Sequence, residues 1–402
     1  MPNPEVVTNY KDSDGVDLGK KLISKDYLIS VYPQIADQLI TPELWVWGQN
    51  TYGQVGDNTT TNKSTPVTTL SGGSNWKSVA GGWGISLAIK TDGTLWTWGG
   101  NGSGQLGIND TTDRATPVTT FAGGTNWKQV SSGVSHNAAI KTDGTLWVWG
   151  YNYYGQLGIN GGGNRNTPVT TFAGGTNWKQ VTANAYHNAA IKTDGTLWTW
   201  GANNYGALGI NDTTERLTPV TTFAGGTNWK QVAGRYYFTA AIKTDGTLWT
   251  WGRNSYGALG TNDTANRCTP VTTFAGGTNW KQVAGGLYDC SAIKTDGTLW
   301  TWGSSSEGAL GTGGVTSLTP VTTFAGGTNW KQVAGGVIHS AAIKTDGTLW
   351  TWGANNYGAL GINDTTERLT PVTTFAGGTN WKSVAAGYHT VAIKTSDDLI
   401  GI

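Results

Sequence analysis

The sequence predicts an all-β fold: a seven-bladed β-propeller of four-stranded antiparallel blades, closed by pairing of N- and C-terminal strands. A Leu-Trp-x-Trp-Gly motif begins at Leu44, Leu95, Leu146, Leu197, Leu248, Leu299 and Leu349, a period of 51 residues that shortens to 50 in the last copy. Asn-Trp-Lys and Thr-Pro-Val triplets each occur seven times on the same period. No part of the repeat has helical periodicity. A fixed period of this length is typical of repeat architectures, and short strands favour the propeller.

Each repeat contains four short β segments: Lys-Gln-Val-Ala, Ala-Ala-Ile-Lys, Leu-Trp-Thr-Trp and Thr-Pro-Val-Thr-Thr. Thr-Asp-Gly-Thr joins the second segment to the third, and Asp-Gly accepts the positive φ angles of a tight hairpin. The proline of the fourth segment cannot donate to a strand ladder, so this segment belongs at an edge. We therefore expect Thr-Pro-Val on the outside of each blade and Lys-Gln-Val-Ala beside the central axis.

The two chain ends are expected to complete one blade together. Six complete blades fit between residues 76 and 374, which leaves half a blade at residues 44–69 and half at residues 381–394. Residues 399–402 align with Leu-Trp-Thr-Trp but lack both tryptophans, so they compete with residues 44–47 for one strand position. We favour residues 44–47 as the closing strand.

Residues 1–43 stand outside the repeat, and residues 44–402 form the propeller domain. In this N-terminal arm we predict a short strand near residues 27–32 and a short helix that begins at Pro33. The arm is either a loosely docked tail or an anchor that inserts into a larger assembly.

Composition excludes several classes of protein. The formal net charge is +1, only 13% of residues are charged, and no Lys/Arg cluster occurs, so a nucleic-acid partner is not expected. The N-terminus lacks the pattern of a secretion signal, and no apolar stretch has the ~20 residues of a membrane span, so we expect a soluble protein without membrane insertion. Of the 22 tryptophans, all but Trp83 occupy repeat positions and form the expected core.

Differences between the copies fall into two segments, although residues 189–230 and 341–382 are identical. One segment joins the first strand to the second, and the other joins the third to the fourth. Alternate connections of an up-and-down blade emerge on the same face, so both variable segments should lie together, where loops on a rigid scaffold bind partners. The predicted binding residues are Trp83, Tyr151, Tyr153, Tyr186, Arg235, Tyr236, Tyr237, Phe238, Arg253, Tyr288, Asp289, Ile338 and Tyr388. Drift of loop residues that fill the channel mouth is the alternative.

No arrangement of residues predicts catalysis, a cofactor or a metal. His136, His187, His339 and His389 occupy equivalent positions, but Ile85, Phe238 and Asp289 interrupt the ring, so we expect each histidine to hydrogen-bond within its own blade. Residues 211–216 and 363–368 lack the ligand spacing of a calcium loop and are interpreted as structural turns. Cys268 and Cys290 have no ligand or disulfide spacing.

The Trp-Gly-x-Asn-x-x-Gly-x-Leu-Gly run, with Pro-Val downstream and Gly-Gly-x-x-His-x-Ala, resembles the repeat of the regulator of chromosome condensation family across residues 44–394. The resemblance implies a seven-bladed propeller and a protein-binding scaffold. The founding member exchanges nucleotide on a small GTPase, and bacterial relatives inhibit enzymes, but the residues behind the exchange activity do not map onto this chain.

We therefore expect a non-enzymatic binding propeller whose variable face contacts a partner. Residues 15–32 resemble the N-termini of structural proteins from marine tailed phages. That resemblance implies a virion appendage, such as a tail or capsid fibre component, made in the host cytoplasm. Residues 1–43 would then contact a virion or assembly partner, and the variable face a host-surface glycan or protein. The alternative is a cytoplasmic regulator that binds a small GTPase or inhibits an enzyme.

Overall fold

The computed structural model describes residues 22–24, 41–70, 73–395 and 399–401, which contain thirty β-strands and one 3₁₀ turn, Ser306–Gly308. The first three strands are β1 (Leu22–Ser24), β2 (Pro42–Gly48) and β3 (Lys63–Thr68). Blade 1 consists of β4 (Trp76–Gly81), β5 (Ile85–Lys90), β6 (Leu95–Gly99) and β7 (Arg114–Thr119). Blade 2 consists of β8 (Trp127–Ser132), β9 (His136–Lys141), β10 (Leu146–Gly150) and β11 (Arg165–Thr170). Blade 3 consists of β12 (Trp178–Ala183), β13 (His187–Lys192), β14 (Leu197–Gly201) and β15 (Arg216–Thr221). Blade 4 consists of β16 (Trp229–Gly234), β17 (Phe238–Lys243), β18 (Leu248–Gly252) and β19 (Arg267–Thr272). Blade 5 consists of β20 (Trp280–Gly285), β21 (Asp289–Lys294), β22 (Leu299–Gly303) and β23 (Ser317–Thr322). Blade 6 consists of β24 (Trp330–Gly335), β25 (His339–Lys344), β26 (Leu349–Gly353) and β27 (Arg368–Thr373). The last three strands are β28 (Trp381–Ala386), β29 (His389–Thr395) and β30 (Leu399–Gly401).

Seven four-stranded antiparallel sheets form the predicted propeller. The first strands of neighbouring blades contact one another around the axis, and the Thr-Pro-Val strand is the outer edge of each sheet. This arrangement confirms the fold class and the order of strands within a blade.

Blade 7 is built from both ends of the chain, as expected, in the order β28, β29, β2 and β3. Strand β2 occupies the third position, with Trp45 opposite Ala392 and Trp47 opposite Thr390. Strand β30 does not compete for this position; it pairs antiparallel with β1 in a separate two-stranded ladder. Only the N-terminal segment brings the two tryptophans that the neighbouring cores require. The strand predicted near residues 27–32 and the helix at Pro33 lie outside the described residues, and the domain boundary at residue 43 stays a prediction.

The hydrophobic core lies between blades rather than within them. One cluster combines Ile191 and Leu197 of blade 3 with Trp229, Val232 and Trp251 of blade 4, all buried. A single repeat cannot cover its own apolar face, so each blade depends on its neighbour.

A second set of contacts lies below the core, toward the Thr-Asp-Gly-Thr turns. In blade 3, the Lys192 ammonium lies 4.7 Å from the ring centroid of Trp178 and 4.3 Å from that of Trp198. The Trp198 indole donates to Thr196 Oγ1, whose hydroxyl in turn donates to Asp194. Such cation–π contacts stabilise the turn and the two rings together. Comparable Lys–Trp contacts recur in every blade.

Candidate binding face

The connections between strands divide the propeller into two faces. Because the strands of a blade are antiparallel, the connections from first to second strand and from third to fourth strand emerge on the same side. We call this side the variable face, and the side with the Thr-Asp-Gly-Thr turns the constant face. All twelve tyrosines that follow residue 43 lie in connections of the variable face.

Nine of these tyrosines form one continuous chain of ring contacts, which we call the tyrosine belt: Tyr151, Tyr153, Tyr154, Tyr186, Tyr205, Tyr236, Tyr237, Tyr256 and Tyr288. The tightest pairs are Tyr236–Tyr237, with centroids 4.6 Å apart, and Tyr256–Tyr288, with centroids 4.4 Å apart. The Arg253 guanidinium lies 5.1–6.0 Å from the ring centroids of four belt tyrosines. The belt runs across blades 2 to 5.

The structure adds Tyr154, Tyr205 and Tyr256 to the predicted residues. They belong to a Tyr-Gly pair in the connection from third to fourth strand, which also occurs at Tyr52 and Tyr357 but is replaced by Ser103 and Glu307 in two blades. Because this tyrosine recurs, a comparison of copies counts it as constant. Its place beside the variable positions becomes visible only when the connections are folded onto one face.

Tyr237 has an unusual backbone. Its φ is +61°, and the other non-glycine residues with positive φ are asparagines and Glu307. A bulky aromatic residue is strongly disfavoured there, and strain of this kind is concentrated at functional sites. Tyr237 is held between the rings of Tyr186 and Tyr205, at centroid distances of 5.3 and 5.2 Å.

A second aromatic group lies on the opposite part of the variable face. Trp83 stacks on Tyr388 with ring centroids 5.4 Å apart and an interplanar angle of 7°. Tyr388 also contacts Tyr357 edge-on at 6.4 Å. These residues and Tyr52 line a cavity of about 570 Å³ between blades 6, 7, 1 and 2, which we call the Trp83 cleft.

Two predicted binding residues are not on the surface. Phe238 is 1% exposed and Asp289 is 5% exposed. Each begins the second strand of its blade, opposite the glycine of Trp-Gly, and strand alternation directs this position between the blades. Phe238 packs in the core between blades 4 and 5, and burial raises the pKa of Asp289 to about 7 despite the nearby Arg235 charge. The structure therefore places both side chains inside the fold, and that they bind a partner stays a prediction.

Arg235 lies at the mouth of the axial channel rather than among the exposed tyrosines. From blade 4 its Nη1 donates across the axis to the carbonyl oxygens of Gly335 in blade 6, at 3.1 Å, and Ala386 in blade 7, at 2.9 Å. Burial lowers the pKa of Arg235 to about 10, so the side chain remains charged at neutral pH. Ile338 is half-buried and lines a small cavity of about 80 Å³ with Tyr288 and Asp289.

The four histidines connect neighbouring blades, so the expectation of bonds within a single blade is wrong in the main. His187 Nε2 lies 2.9 Å from Thr239 Oγ1 of the next blade, and Thr239 donates onward to the Ala207 carbonyl. His339 and His389 make the same contact with Thr390 and Ser86, and His136 contacts Asn188. His187 also contacts Asn184 of its own blade. Burial lowers the pKa of His136 to about 4 and that of the other three histidines to about 3.

The long connections of the variable face are held rigid by buried polar side chains. Asn203 donates to Asp212 and to the Thr214 carbonyl, and its Oδ1 accepts from the Leu208 N–H. Arg216 forms an ion pair with Asp212 at 2.6 Å. Residues 211–216 therefore form a structural turn, as predicted, and the same contacts recur in residues 363–368.

The constant face is not purely polar. Six phenylalanines, one after the outer strand of each of blades 1 to 6, are 65–77% exposed: Phe121, Phe172, Phe223, Phe274, Phe324 and Phe375. Leu70 occupies the equivalent position in blade 7 and is 67% exposed. They stand singly at the outer rim and provide a natural control surface for experiments on the variable face.

Within the described residues, no group of three or more His, Cys, Asp or Glu side chains is placed to hold a metal ion. The part of the chain that the structure describes also contains no helix long and apolar enough to cross a membrane.

Comparisons with known proteins identify the family. Residues 39–324 match the family model of the RCC1-like domain, and residues 330–359 and 346–393 match models of the regulator of chromosome condensation (RCC1) repeat. The chain is 32% identical over 277 residues to the ultraviolet-B receptor UVR8 of Arabidopsis thaliana. This aligned segment covers 67% of this chain and 63% of the receptor. It is 30% identical over 207 residues to the probable E3 ubiquitin-protein ligase HERC4 of Homo sapiens, covering 50% of this chain and 19% of the ligase.

Solved structures share the fold. Human WBSCR16 superposes with a TM-score of 0.77 at 23% identity, covering 88% of this chain and 98% of that one. Yeast RCC1 (Prp20), solved with Kap60, gives a TM-score of 0.78 at 18% identity and covers 90% of each chain. The repeat, the seven four-stranded blades and the family model agree, and the chain belongs to the RCC1-like domain family.

Proposed function

We propose that this protein is a non-enzymatic binding propeller that contacts a protein partner through the tyrosine belt. The observation that supports this most directly is the distribution of tyrosine: all twelve that follow residue 43 lie in connections of one face, and nine of them touch in series. The hydrophobic core does not require tyrosines on this face, because the tryptophans at the repeat positions already form the core.

The chemistry of the belt fits a protein interface. Tyrosine and arginine are enriched among residues that dominate binding energy, and tyrosine offers a large contact area at low cost in conformational entropy. Tyr153 is 73% exposed and Tyr256 is 44% exposed, so both can be covered by a partner. The connections that present them are fixed by buried asparagines, which limits the entropy lost on binding.

The titratable groups near this face support binding rather than catalysis. Asp289 and the four histidines, whose pKa values are all shifted toward the neutral form, are all buried. Each histidine also uses Nε2 to contact the next blade. A general acid or base must reach substrate, and these groups are occupied inside the fold.

Protein binding is also a property of structural relatives. Yeast RCC1 (Prp20) was solved bound to Kap60, and a second structure of Prp20p is described together with its binding to Gsp1p and histones. We extend only the general property of protein binding to this chain. We do not propose that it binds the partners of the yeast protein.

The test is affinity capture with the full chain, followed by titration of each purified candidate partner. The belt variant carries Tyr153→Ala and Tyr256→Ala, and the control carries Phe172→Ser and Phe223→Ser on the constant face. We expect the belt variant to bind at least about tenfold more weakly, a loss of about 1.4 kcal/mol. The control should bind like the unmodified protein. Equal binding by the belt variant would overturn the proposal.

We further propose that residues 1–43 mount the propeller on a tailed-phage virion, where the partner is a host-surface molecule. The resemblance of residues 15–32 to phage structural proteins supports this setting, and family membership supports the alternative of a regulator of a small GTPase. Mass spectrometry of purified virions from the source, with the captured partner identified, distinguishes the two. Detection of the chain in virions and a surface partner support the first; a GTPase partner and absence from virions overturn it.

A further inference from the structure

We propose that the Trp83 cleft binds a neutral saccharide. This inference rests on the proposed function in one respect, that the variable face is the binding face. It assigns to the cleft a ligand different from the protein partner of the tyrosine belt.

The cleft exists because blade 1 lacks bulk where other blades have it. Gly100, Gly102 and Ser103 occupy the positions that hold Tyr151, Tyr153 and Tyr154 in blade 2. Gly84 occupies the position of Tyr186 in blade 3. The Tyr52 ring rests on the opened surface, since a Cβ atom at Gly84 would lie 2.8 Å from Tyr52 Cδ2. In a chain whose repeats are otherwise so uniform, four losses of bulk in one blade create a distinct concave site.

Trp83 is the one large side chain that blade 1 contributes to this site. Twenty of the other tryptophans donate the indole N–H to an oxygen within the fold, whereas the Trp83 Nε1 has no hydrogen-bond partner among the described residues, a state it shares with Trp45. Trp83 is only half-buried. Trp83, stacked on Tyr388, therefore presents an aromatic surface to the cleft. Its position does not depend on the indole hydrogen bond that holds the core tryptophans in place.

The rim of the cleft offers hydrogen-bonding groups and little charge. Asp113, Gln105 and Gln49 line it together with the hydroxyls of Ser103 and Ser135. Asp113 is exposed and accepts the Asn101 N–H through one carboxylate oxygen, and Gln105 Oε1 accepts the Ser103 N–H, which leaves its amide nitrogen to donate. Among the described residues that line the cleft there is no lysine or arginine. The site therefore disfavours phosphate, sulfate or carboxylate ligands.

A neutral sugar matches this combination of groups. A pyranose ring presents C–H bonds on its faces, which pack on aromatic rings, and hydroxyls at its edges, which pair with carboxylates and amides. The volume of about 570 Å³ lies within the range of about 300–1,000 Å³ that is usual for small-molecule sites. The belt, by contrast, exposes large parts of tyrosines such as Tyr153, which suit a protein surface.

The glycines of blade 1 allow a matched pair of filling variants. A Cβ atom at Gly102 meets nothing within 4 Å, and its φ is not in the left-handed region, so Gly102→Tyr can restore the tyrosine that blade 2 carries there without strain. Gly161, in the corresponding connection of blade 2 but outside the cleft, is equally open and provides Gly161→Tyr as the control.

The experiment applies the full chain to a glycan array of neutral and acidic oligosaccharides, followed by calorimetric titration of the neutral oligosaccharide with the strongest response. We expect binding to neutral glycans only. Trp83→Ala and Gly102→Tyr should each weaken it by about 30-fold or more, the effect of losing a dominant contact. Gly161→Tyr, and the belt variant with Tyr153→Ala and Tyr256→Ala, should bind as the unmodified protein does.

The inference is overturned if the protein binds no neutral glycan, or if binding is unchanged in both Trp83→Ala and Gly102→Tyr. Preference for acidic glycans also overturns it, because the cleft would then lack the cation it needs. Failure here with belt-dependent capture of a protein leaves the proposed function standing. Glycan binding that is lost in the belt variant instead would move the saccharide site to the belt.

Discussion

The indole N–H of Trp47 donates to the backbone carbonyl of Ala359 at 2.8 Å, across 312 residues of sequence. This bond closes the propeller between blades 7 and 6. The same carbonyl accepts the hydroxyl of Thr390, which in turn lies 2.8 Å from His339 Nε2. Because the hydroxyl donates to the carbonyl, the histidine must donate from Nε2 and is the neutral tautomer protonated there. The other blade junctions repeat the indole–carbonyl bond.

Trp47→Phe is expected to lower the free energy of unfolding by about 1–3 kcal/mol, because it leaves the buried Ala359 carbonyl with one donor fewer. The matched control is Trp96→Phe, which loses a bond to Thr94 Oγ1 in a partly exposed turn and should lose less than about 1 kcal/mol. Urea unfolding of both variants measures the difference. Equal losses would show that the closing bond has no special value.

At five junctions, a glutamine on the first strand of one blade forms a pair of hydrogen bonds with the backbone of the next blade. Gln231, for example, donates from Nε2 to the Val283 carbonyl at 3.1 Å and accepts the Val283 N–H at 3.0 Å. Blades 1 and 7 carry Ser78 and Ser383 at this position, and the buried Ser78 hydroxyl has no hydrogen-bond partner in the part of the chain that the structure describes. We expect Ser78→Gln to form the same pair of hydrogen bonds with the Val130 backbone and to stabilise the protein by about 1 kcal/mol. A melting temperature below that of the unmodified protein would contradict this.

Acid should destabilise the propeller at pH values well above those at which carboxylates usually titrate. The folded-state pKa of each histidine lies near 3 or 4, below the ordinary value of 6.5, so between these limits the unfolded chain binds more protons. Stability is therefore present above pH 6.5 and is lost as the pH falls, by up to about 1.4 kcal/mol per pH unit for each histidine.

Asp289 acts in the opposite direction. Its folded-state pKa of about 7 lies above the ordinary 3.8, so it offsets one histidine between these values. Melting temperatures should change little between pH 7.5 and 6.5 and then fall steadily to pH 4.5, and His136→Gln should reduce the slope of that fall. A flat profile between pH 7 and 5 would show that the histidines are not held neutral.

Tyr237→Gly should be more stable than Tyr237→Ala by about 1 kcal/mol, because glycine accepts the φ of +61° and alanine does not. Both variants remove the ring from the belt and should weaken partner binding similarly. Urea unfolding together with titration of the identified partner tests both statements. If alanine were as stable as glycine, the backbone at Tyr237 would not be strained.

The repeat made most of the fold predictable. The period, the Asp-Gly turns and the edge proline each restrict the local geometry, and together they gave the number of blades, the order of strands and the shared closing blade. The partition into a variable and a constant face followed from strand alternation alone. These features depend on interactions close in sequence or repeated in every copy, which one sequence displays directly.

The features of the site that the sequence does not predict depend on side-chain direction and on contacts between blades. Phe238 and Asp289 vary between copies, but variation does not reveal whether a side chain points outward or between blades. Three histidines bond to side chains 51 or 52 residues away and His389 to one 303 residues away, and Arg235 reaches carbonyls 100 and 151 residues away. Such contacts form only when blades pack side by side around the ring, which no single repeat encodes.

The sequence by itself determined the seven-bladed propeller, its closing strand and the face on which its copies differ, because turn chemistry and periodicity act locally and are repeated. Only the tertiary structure decided which variable residues meet. It gathered nine tyrosines from blades 2 to 5 into one belt, placed Trp83 against Tyr388 from the far end of the chain, and opened a cleft beside blade 1. The reason is geometric: residues far apart in sequence come into contact only when the ring curves back on itself.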